Sequence, residues 1–451
     1  MPAKPSARPS RPARTEEPGP SGPSLAGERF TVTVGPVANG GFCVARHEGR
    51  AVFVRHALPG ERVVAQVTQG GPEDRFLRAD AVEVLEASPD RVDAPCGYAG
   101  PGGCGGCDWQ HVSLEAQRRL KGEVVAEQLR HLAKIDLDVV VEPAPAGPAD
   151  PWAGGLGWRT RVQFAVDPAG RIGLRKSRSH EVVPVDGCLI ASAGVEQVGA
   201  ERRGWPDMAS VEVIAPAGSL DRAVVVTPKA GTRVPLVEGD VPVSVLRGDG
   251  KGGIQRIHGR AHVREVAAGR TWRVSGSGFW QVHPAAAGVL SELVLSWLEP
   301  QPGETALDLY CGVGLFAAGL AEAVGAEGEV VAIESDAAAV ADATANLDGF
   351  EQVELVEGRV DKILAEAPEG FLADVVVLDP PRSGAGRTVV GQLAALQPRA
   401  IAYVACDPAA LARDLSYFAE AGYALEQLRA FDFFPMTQHV ECVALLGPVA
   451  H

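Results

Sequence analysis

The last third of the chain alternates apolar strand-like runs with helix-like segments, and this alternation restricts the possible folds more than any other feature. From about Phe279 onward, the runs "ALDL", "VVAIES", "ADVVVLD" and "AIAYVA" are each followed by a helical pattern. Strands that alternate with helices in this way form a parallel sheet covered by helices on both faces. The sequence therefore predicts an α/β domain over residues 276–451.

The first strand of this domain leads into a glycine-rich turn. In "ALDLYCGVGLFAAGLAEAV", Gly312 and Gly314 form the turn, and Ala317 stands where a dinucleotide-binding fingerprint has its third glycine. The next strand ends in Glu334, twenty residues after Gly314, where an acid accepts hydrogen bonds from ribose hydroxyls. Together these residues predict a nucleoside cofactor, either NAD or S-adenosylmethionine. Alternatively, Glu334 only caps the helix that follows it.

Two further strands end in reactive residue types. Asp379 begins "DPPRSGAG", and Cys406 begins "CDPAALARDL". Ligands bind beyond the carboxyl ends of strands in an open α/β sheet, so both residues are expected to face one crevice. The helix that starts near Pro408 offers backbone N–H groups that favour a thiolate at Cys406. The alternative is that Cys406 is a small, buried apolar residue.

The first two thirds of the chain differ in character. Residues 1–27 are rich in proline and poor in large apolar side chains, which predicts a disordered tail. Short β-like runs separated by glycine-rich turns predict a small β-barrel over residues 28–90. A long helix is expected over 113–135, where it ends at the proline-rich hinge "VEPAPAGPADP", and residues 157–275 are mostly β-like.

Composition excludes several classes of protein. Eight cysteines in 451 residues do not make a disulfide scaffold, and no apolar run approaches the roughly 18 residues of a membrane span. The N-terminus lacks the apolar core of a signal peptide, so a cytoplasmic protein without membrane contact is expected. A net charge of -15 opposes nucleic-acid binding except through a local basic face. One candidate face runs from Arg159 to Arg178, although a solvated face without a partner explains it equally well.

Three cysteines are clustered in "APCGYAGPGGCGGCDWQH", at Cys96, Cys104 and Cys107. In an intracellular protein, clustered thiols more often bind metal or carry out chemistry than form disulfides.

Five motifs together resemble the uracil-C5 RNA methyltransferase family: "FWQVHP", "DLYCGVG", "VLDPPRSG", "YVACDPAALARDL" and "HVECVALL". The N-terminal barrel and the cysteines resemble those of the 23S ribosomal RNA members. The resemblance covers nearly the whole chain beyond the tail. It implies a Rossmann-like methyltransferase domain, an N-terminal OB-like TRAM barrel, and a central, mostly β iron–sulfur domain over residues 91–275. The helix at 113–135 is expected to pack on the catalytic domain.

The resemblance also implies a reaction and its residues. The enzyme would transfer a methyl group from S-adenosylmethionine to C5 of a uridine, with Cys406 adding to C6 and Glu441 removing the C5 proton. Cysteines 311 and 442 are expected to be packing residues. The expected cofactor contacts are Gln281, Tyr310, Gly312, Glu334 and Asp379.

For the cysteines, the resemblance implies a 4Fe–4S cluster. Cys188 in "VVPVDGCLIA" would be the remote fourth ligand beside Cys96, Cys104 and Cys107. Seven residues separate the first two cysteines where family members more often have five, so the glycine-rich loop must bulge. Four cysteines also suit a zinc site, which stays open as the alternative.

Two positions depart from the family pattern, because His283 and Asp407 stand where most members have asparagine. Asp407 would raise the pKa of the Cys406 thiol if its carboxylate faced that thiol. Aromatic side chains commonly receive a base that has left its stack. The candidates for that role are Phe279, Trp280, Phe433 and Phe434, although ordinary packing in the core explains them at least as well.

RNA is the expected partner, with 23S rRNA favoured over transfer RNA, and the protein is expected to be a monomer. The barrel, the Arg159–Arg178 stretch and the mixed-sign N-terminal tail would share the RNA contacts. Two other classes stay open: a non-catalytic RNA-binding homologue and, more remotely, an NAD-dependent oxidoreductase.

Overall fold

The computed structural model describes residues 24–145, 154–235, 237 and 241–449. Most of the predicted tail and part of the predicted hinge lie outside these residues. Residues 24–27, assigned to the tail by their composition, belong instead to the barrel. Leu25 N donates a hydrogen bond to Gly70 O at 3.0 Å, and Gly27 N donates to Val67 O at 2.9 Å. Backbone pairing therefore joins these residues to the barrel.

The N-terminal region is a five-stranded sheet with the order β1-β4-β5-β3-β2. Its strands are β1 (Arg29–Thr33), β2 (Cys43–His47), β3 (Arg50–Arg55), β4 (Arg62–Gln69) and β5 (Phe76–Glu86). Residues just after β1 close the sheet onto β2, because Gly35 N donates to Val44 O at 2.7 Å and Val44 N donates to Pro36 O at 2.9 Å. Alternate residues such as Val52, Val54 and Val63 are fully buried, which is the pattern of a small barrel.

The middle region begins with α1 (Leu114–Gln128), which a π-helical turn extends over Leu129–Ala133. Ser113 caps its N-terminus by accepting a hydrogen bond from Ala116 N. The following β6 (Val141–Pro143) pairs with the sheet of the C-terminal region, so the start of the predicted hinge is an edge strand. The other elements are β7 (Arg161–Val166), β8 (Ile172–Arg175), β9 (Val182–Pro184), α2 (Ala193–Val198), β10 (Met208–Ile214), β11 (Ala223–Pro228), β12 (Ser244–Gly248), β13 (Ile254–His258), β14 (His262–Ala267) and β15 (Arg270–Ser275).

Within the described residues, β7 to β13 form one seven-stranded sheet in the order β13-β12-β11-β10-β7-β8-β9. The last two strands of the region, β14 and β15, form a separate antiparallel hairpin. The middle region is thus mostly β, as predicted from its sequence.

The C-terminal region contains the predicted alternation. Its helices are α3 (Ala286–Leu298), α4 (Leu315–Val324), α5 (Ala337–Asn346), α6 (Val360–Ile363), α7 (Gly386–Ala395) and α8 (Pro408–Glu420). Its strands are β16 (Thr305–Leu309), β17 (Glu329–Glu334), β18 (Val353–Glu357), β19 (Val375–Leu378), β20 (Ala400–Ala405), β21 (Tyr423–Asp432) and β22 (Glu441–Pro448). With β6 they form an eight-stranded sheet in the order β18-β17-β16-β19-β20-β22-β21-β6.

Helices cover both faces of this sheet. One face packs α3 and α4 through residues such as Leu290, Val294 and Phe316. The other face packs α7 and α8 together with Val125 and Leu129 from the end of the α1 region. Every residue of β19 and β20 is buried, as expected for central strands covered on both sides.

The chain divides into two compact units, one formed by residues up to 36 and 42–89 and the other by residues 37–41 and 90–451. The regions 91–275 and 276–451, predicted as separate domains, therefore fall in one unit. Several contacts join them: for example, β6 extends the sheet of the C-terminal region, and Arg273 on β15 donates to Asp342 on α5 at 2.9 Å. Among the described residues, no helix is long and apolar enough to cross a membrane.

Candidate active site

Strand register brings Cys406 and Glu441 to the same point on the sheet edge. Strand β20 runs antiparallel to β22, and Ala405 lies opposite Cys442. Cys406 follows Ala405, and Glu441 precedes Cys442, so continuing the register by one residue places this thiol beside this carboxyl. The electrostatic influence of Glu441 on the Cys406 thiol agrees with this closeness.

The thiol of Cys406 is half-buried at this edge. Burial, followed by the charges of Glu441 and Asp379, raises its pKa to about 12, while Arg382 acts in the opposite direction. Desolvation and the neighbouring carboxylates therefore oppose the thiolate that the N-terminus of α8 is predicted to favour.

Asp407 explains part of this result. Its carboxylate caps α8 by accepting a hydrogen bond from Ala410 N at 2.9 Å, so it occupies one of the backbone N–H groups that were expected to favour the thiolate. Its effect on the Cys406 pKa is the smallest of the carboxylates that raise it. Asparagine is an equally good cap, so this departure from the family pattern preserves the helix start.

Glu441 is 2% exposed at the first position of β22. Burial raises its pKa well above the usual value, and Asp379 raises it further, whereas Arg382 lowers it. Asp379 follows the last residue of β19, and burial raises its pKa as well. Two neighbouring carboxyl groups oppose simultaneous ionisation, so this pair favours holding one proton between them.

The glycine-rich turn and Glu334 meet directly. Glu334 is the last residue of β17, and its Oε2 accepts a hydrogen bond from Gly312 N at 3.1 Å. Its other oxygen accepts from Ser335 N and Asp336 N at 2.6 and 2.7 Å. A Cβ atom added at Gly312 would meet nothing within 4 Å, so open space lies against the turn. The turn therefore leaves room for a ligand beside an oriented carboxylate, as a nucleoside cofactor requires.

Tyr310 lies between β16 and this turn with a positive φ of 65°. Burial raises the pKa of its half-buried hydroxyl to about 12, so the hydroxyl stays neutral and can donate a hydrogen bond.

Asp308 is a site residue to which the sequence interpretation gave no role. It is fully buried in β16, and its Oδ2 accepts a hydrogen bond from Ala317 N at 2.7 Å, which ties the strand to α4. Burial raises its pKa to about 8, with smaller effects from Asp379 and Glu334. The sequence feature that could have identified Asp308 is its position as an acidic residue inside the otherwise apolar run "ALDL".

Gln281 lies in the loop between β15 and α3, and two contacts fix the backbone around it. Arg161 donates to Gly278 O at 2.6 Å, and the Thr160 hydroxyl donates to Val282 O at 3.0 Å. His283 is buried and accepts a hydrogen bond at Nδ1 from Ala285 N at 3.2 Å, close to the start of α3. The histidine that stands here in place of asparagine therefore packs in the core and helps to fix the start of α3.

The four candidate aromatic residues differ in exposure. Phe433 and Trp280 are buried core residues, Phe434 is half-buried, and Phe279 is 68% exposed. Of the four, Phe279 is therefore the ring most available to an RNA base.

The stretch from Arg159 to Arg178 is not a uniform basic face. Arg161 is buried against Glu265, at 3.6 Å between Nη2 and Oε1. Two other cations are paired, Arg171 with Asp167 at 2.8 Å and Lys176 with Glu181 at 2.5 Å. The sequence shows charge but not burial or pairing, so the number of cations available to RNA was overestimated.

The four candidate metal ligands line one cavity. Cys96, Cys104, Cys107 and Cys188 all contribute to its wall, and its volume is about 250 Å³. Burial raises the pKa of the Cys107 thiol to about 12. Within the described residues, no three or more His, Cys, Asp or Glu side chains are arranged to hold a single metal ion.

Two protein families match this chain, one in its N-terminal region and one in its C-terminal region. Residues 23–82 match the TRAM domain family, and residues 269–448 match the family described as tRNA (Uracil-5-)-methyltransferase. An uncharacterised RNA methyltransferase of Streptomyces coelicolor is 57% identical over 439 residues, covering 95% of this chain and 94% of its own. Another, from Bifidobacterium longum, is 37% identical and covers 90% and 94%.

A solved structure shares the fold across almost the full length. The tRNA (uracil-54, C5)-methyltransferase of Pyrococcus abyssi, in complex with S-adenosyl-L-homocysteine, superposes with a TM-score of 0.71 at 22% identity. The match covers 92% of this chain and 99% of that one. The predicted resemblance is thus confirmed, and the chain belongs to the S-adenosylmethionine-dependent RNA uracil-C5 methyltransferase family, with an N-terminal TRAM domain.

Proposed function

We propose that this enzyme methylates C5 of a uridine in RNA through a covalent bond between Cys406 and C6 of the base. The observation that carries the proposal is the register that places the Cys406 thiol beside the Glu441 carboxyl at the sheet edge. A nucleophile and a base within reach of one another are what addition to a pyrimidine and later proton removal require.

The chemistry follows from these two side chains. Uracil C5 is a poor nucleophile until Cys406, after its thiol has lost a proton to solvent, adds to C6 as a thiolate and makes C5 an enolate carbon. S-adenosylmethionine, when bound, supplies an electrophilic methyl group. C5 then carries both a methyl group and a proton. Glu441 takes that proton, the electron pair of the C–H bond re-forms the C5–C6 double bond, and the sulfur leaves as a thiolate.

The residues proposed to hold S-adenosylmethionine fit such a ligand. Gly312 leaves open space beside the turn, and the Glu334 carboxylate lies against the same turn, where ribose hydroxyls bind in sheets of this type. Tyr310 and Asp379 border the crevice at adjacent strand ends, and the loop of Gln281 is fixed on both sides.

We propose 23S rRNA as the substrate, because the chain combines a TRAM barrel with the four-cysteine motif of the ribosomal RNA members that it resembles. Transfer RNA is the second candidate, favoured by the shared fold with a transfer RNA enzyme. Mapping 5-methyluridine in both RNA classes from a deletion strain separates them. Loss of the modification from 23S rRNA alone supports the proposal, and loss from transfer RNA alone contradicts it.

A 4Fe–4S cluster fits the four-cysteine cavity. The sulfur atoms receive amide hydrogen bonds. Gly106 N donates to Cys104 Sγ at 3.3 Å. Burial raises the pKa of the Cys188 thiol, and hydrogen bonds from the amides of Ile190 and Ala191 act in the opposite direction. Such bonds to sulfur, with four thiolates around one cavity, are typical of iron–sulfur sites. Bound there, the cluster would hold the loop of Cys96, Cys104 and Cys107 against Cys188.

We expect protein purified without oxygen to contain about four iron and four sulfide ions per chain. Cys188→Ser should lose most of the iron, because it removes the remote ligand, whereas Cys43→Ser changes a buried thiol in the barrel and should not. Elemental analysis and visible absorption measure both. One zinc ion per chain, without iron, would show that the alternative is correct.

The outer face of the barrel offers a site for unpaired RNA bases. Phe53 lies edge-to-face with Phe42 and Phe76, with ring centroids 5.4 and 5.3 Å apart. The Arg78 guanidinium lies 5.2–5.8 Å from all three rings. Partly exposed aromatic rings beside a cation are the surface on which proteins stack single-stranded bases.

The Phe53→Ala, Phe76→Ala double variant should therefore bind single-stranded RNA roughly tenfold more weakly or worse, since each stacked base contributes about 1–3 kcal/mol. Val82→Ala, on the same β5 strand, is the matched control, because Val82 is also exposed but lies outside the aromatic group. Fluorescence anisotropy at fixed salt measures both affinities. An unchanged affinity in the double variant would remove this face from the RNA contacts.

A further inference from the structure

Helix α1 buries two polar side chains on one face. Gln117 and Lys121 are 0% and 1% exposed, and their four-residue spacing places them on the same side of the helix. Burying an amide and an ammonium group is costly unless each is well bonded. Both side chains bond to the same distant segment of the chain, residues 432–436.

Lys121 holds the start of that segment. Its Nζ donates to Asp432 Oδ1 at 2.5 Å and to Phe434 O at 3.1 Å. Asp432, the last residue of β21, is 1% exposed, so the ion pair is closed to water. The ammonium group therefore fixes the position at which the chain leaves β21.

Gln117 holds the next part of the segment. Its Oε1 accepts a hydrogen bond from Met436 N at 2.8 Å. Its Nε2 donates to Trp109 O and Val112 O at 3.1 and 2.9 Å, which fixes the plane of the amide. Met436 has a positive φ of 68°, a backbone conformation that persists in a non-glycine residue only when its surroundings hold it.

The residues before α1 add two more contacts to the segment. Trp109 N donates to Met436 O at 3.0 Å, and the Asp108 carboxylate accepts from Gln438 N at 3.3 Å. Residues 108–121 thus form hydrogen bonds and an ion pair with residues 432–438. Only two residues separate this segment from Glu441.

We propose that Lys121 and Gln117 are positioning residues that aim Glu441 at the C5 proton. This inference rests on the proposed function, in which Glu441 acts only after methyl transfer. Their polar contacts go to the segment before Glu441, whereas Cys406 is carried by β20 and α8. Removing the contacts of Lys121 or Gln117 with this segment should therefore slow proton removal and leave addition of Cys406 to C6 intact.

The test separates these two stages. In RNA that carries 5-fluorouridine at the target, fluorine at C5 cannot leave as a proton, so a working enzyme stays attached after methyl transfer. Attachment to this RNA reports addition and methyl transfer without Glu441. Turnover on ordinary RNA requires all steps, including proton removal.

We expect Lys121→Met and Gln117→Leu each to form the fluorouridine adduct within about threefold of the wild-type rate. Turnover on ordinary RNA should fall roughly 10- to 100-fold, because a small misplacement of a catalytic group costs about that much. Methylated RNA should meanwhile accumulate as a complex with the enzyme that resists denaturant.

Arg119→Met is the matched control, because it removes a cation from an exposed position on the same helix. It should leave both rates unchanged. If Lys121→Met alone does not fold, because it leaves the buried carboxylate of Asp432 unpaired, the double variant Lys121→Met, Asp432→Asn removes that charge and is tested instead.

Three results would overturn the inference. Turnover and adduct formation that fall together in folded variants indicate a general structural role, and two unchanged rates indicate no role. Variants that fail to fold in every combination assign these residues to stability alone. If the wild-type enzyme itself forms no adduct, the proposed function fails independently of the two residues.

Discussion

Cys406→Ala should abolish both methyl transfer and attachment to RNA. Without the sulfur, C6 has no nucleophile and C5 never becomes electron-rich, so turnover should drop by at least roughly 10⁴-fold, as for other covalent catalysts that lose their nucleophile. Transfer of a radiolabelled methyl group to RNA measures turnover, and a denaturing gel measures attachment.

Cys43→Ala is the control for this variant, because it also shortens a buried cysteine but lies in the barrel. It should retain activity. The raised pKa of the Cys406 thiol adds a second expectation: wild-type adduct formation should accelerate as pH rises, because the thiolate fraction rises with it. Substantial methylation by Cys406→Ala would exclude this cysteine as the nucleophile.

Glu441→Gln should stop the reaction at a later stage. The amide preserves the shape of the side chain, and addition of Cys406 and transfer of the methyl group remain possible. It cannot accept the C5 proton, so release of the product should slow by about 10²- to 10⁴-fold. Methylated RNA should accumulate on the enzyme in a complex that resists denaturant and disappears after nuclease digestion.

The control for Glu441→Gln is Glu142→Gln, which changes a carboxylate on β6 that pairs with Arg429 at the edge of the same sheet. It should turn over normally without a trapped complex. Near wild-type turnover by Glu441→Gln would show that another group is the base. Asp379, at the end of β19, would then be the next residue to test, because Asp407 is engaged in capping α8.

The positions of the buried strands along the chain and the residues at their ends were predictable, because buried parallel strands produce uninterrupted apolar runs that end at the crevice. "VVVL" and "AIAYVA" are fully buried strands, and Asp379 and Cys406 follow them directly. The pairing of Cys406 with Glu441 was not readable from local pattern, because it depends on β22 inserting between β20 and β21. The family resemblance supplied it instead.

Contacts made by isolated polar residues were harder to predict. Asp407 was considered as a negative charge that could face the Cys406 thiol, yet its carboxylate caps α8. An acidic residue directly before a helix accepts hydrogen bonds from the first backbone amides, and this is more favourable than facing a second negative group. Lys121 lies within the predicted helix at 113–135, but the sequence does not show that Asp432, 311 residues away, lies against it. Such pairs depend on tertiary packing.

The most direct test of covalent catalysis is attachment of the wild-type enzyme to RNA with 5-fluorouridine at the target, followed by peptide mass spectrometry. The predicted result is a one-to-one complex that forms only with S-adenosylmethionine, resists denaturant and is degraded by nuclease. Its modified nucleotide should be attached to Cys406. Methylation of ordinary RNA without any such complex, or a complex linked through another residue, would contradict the proposed mechanism.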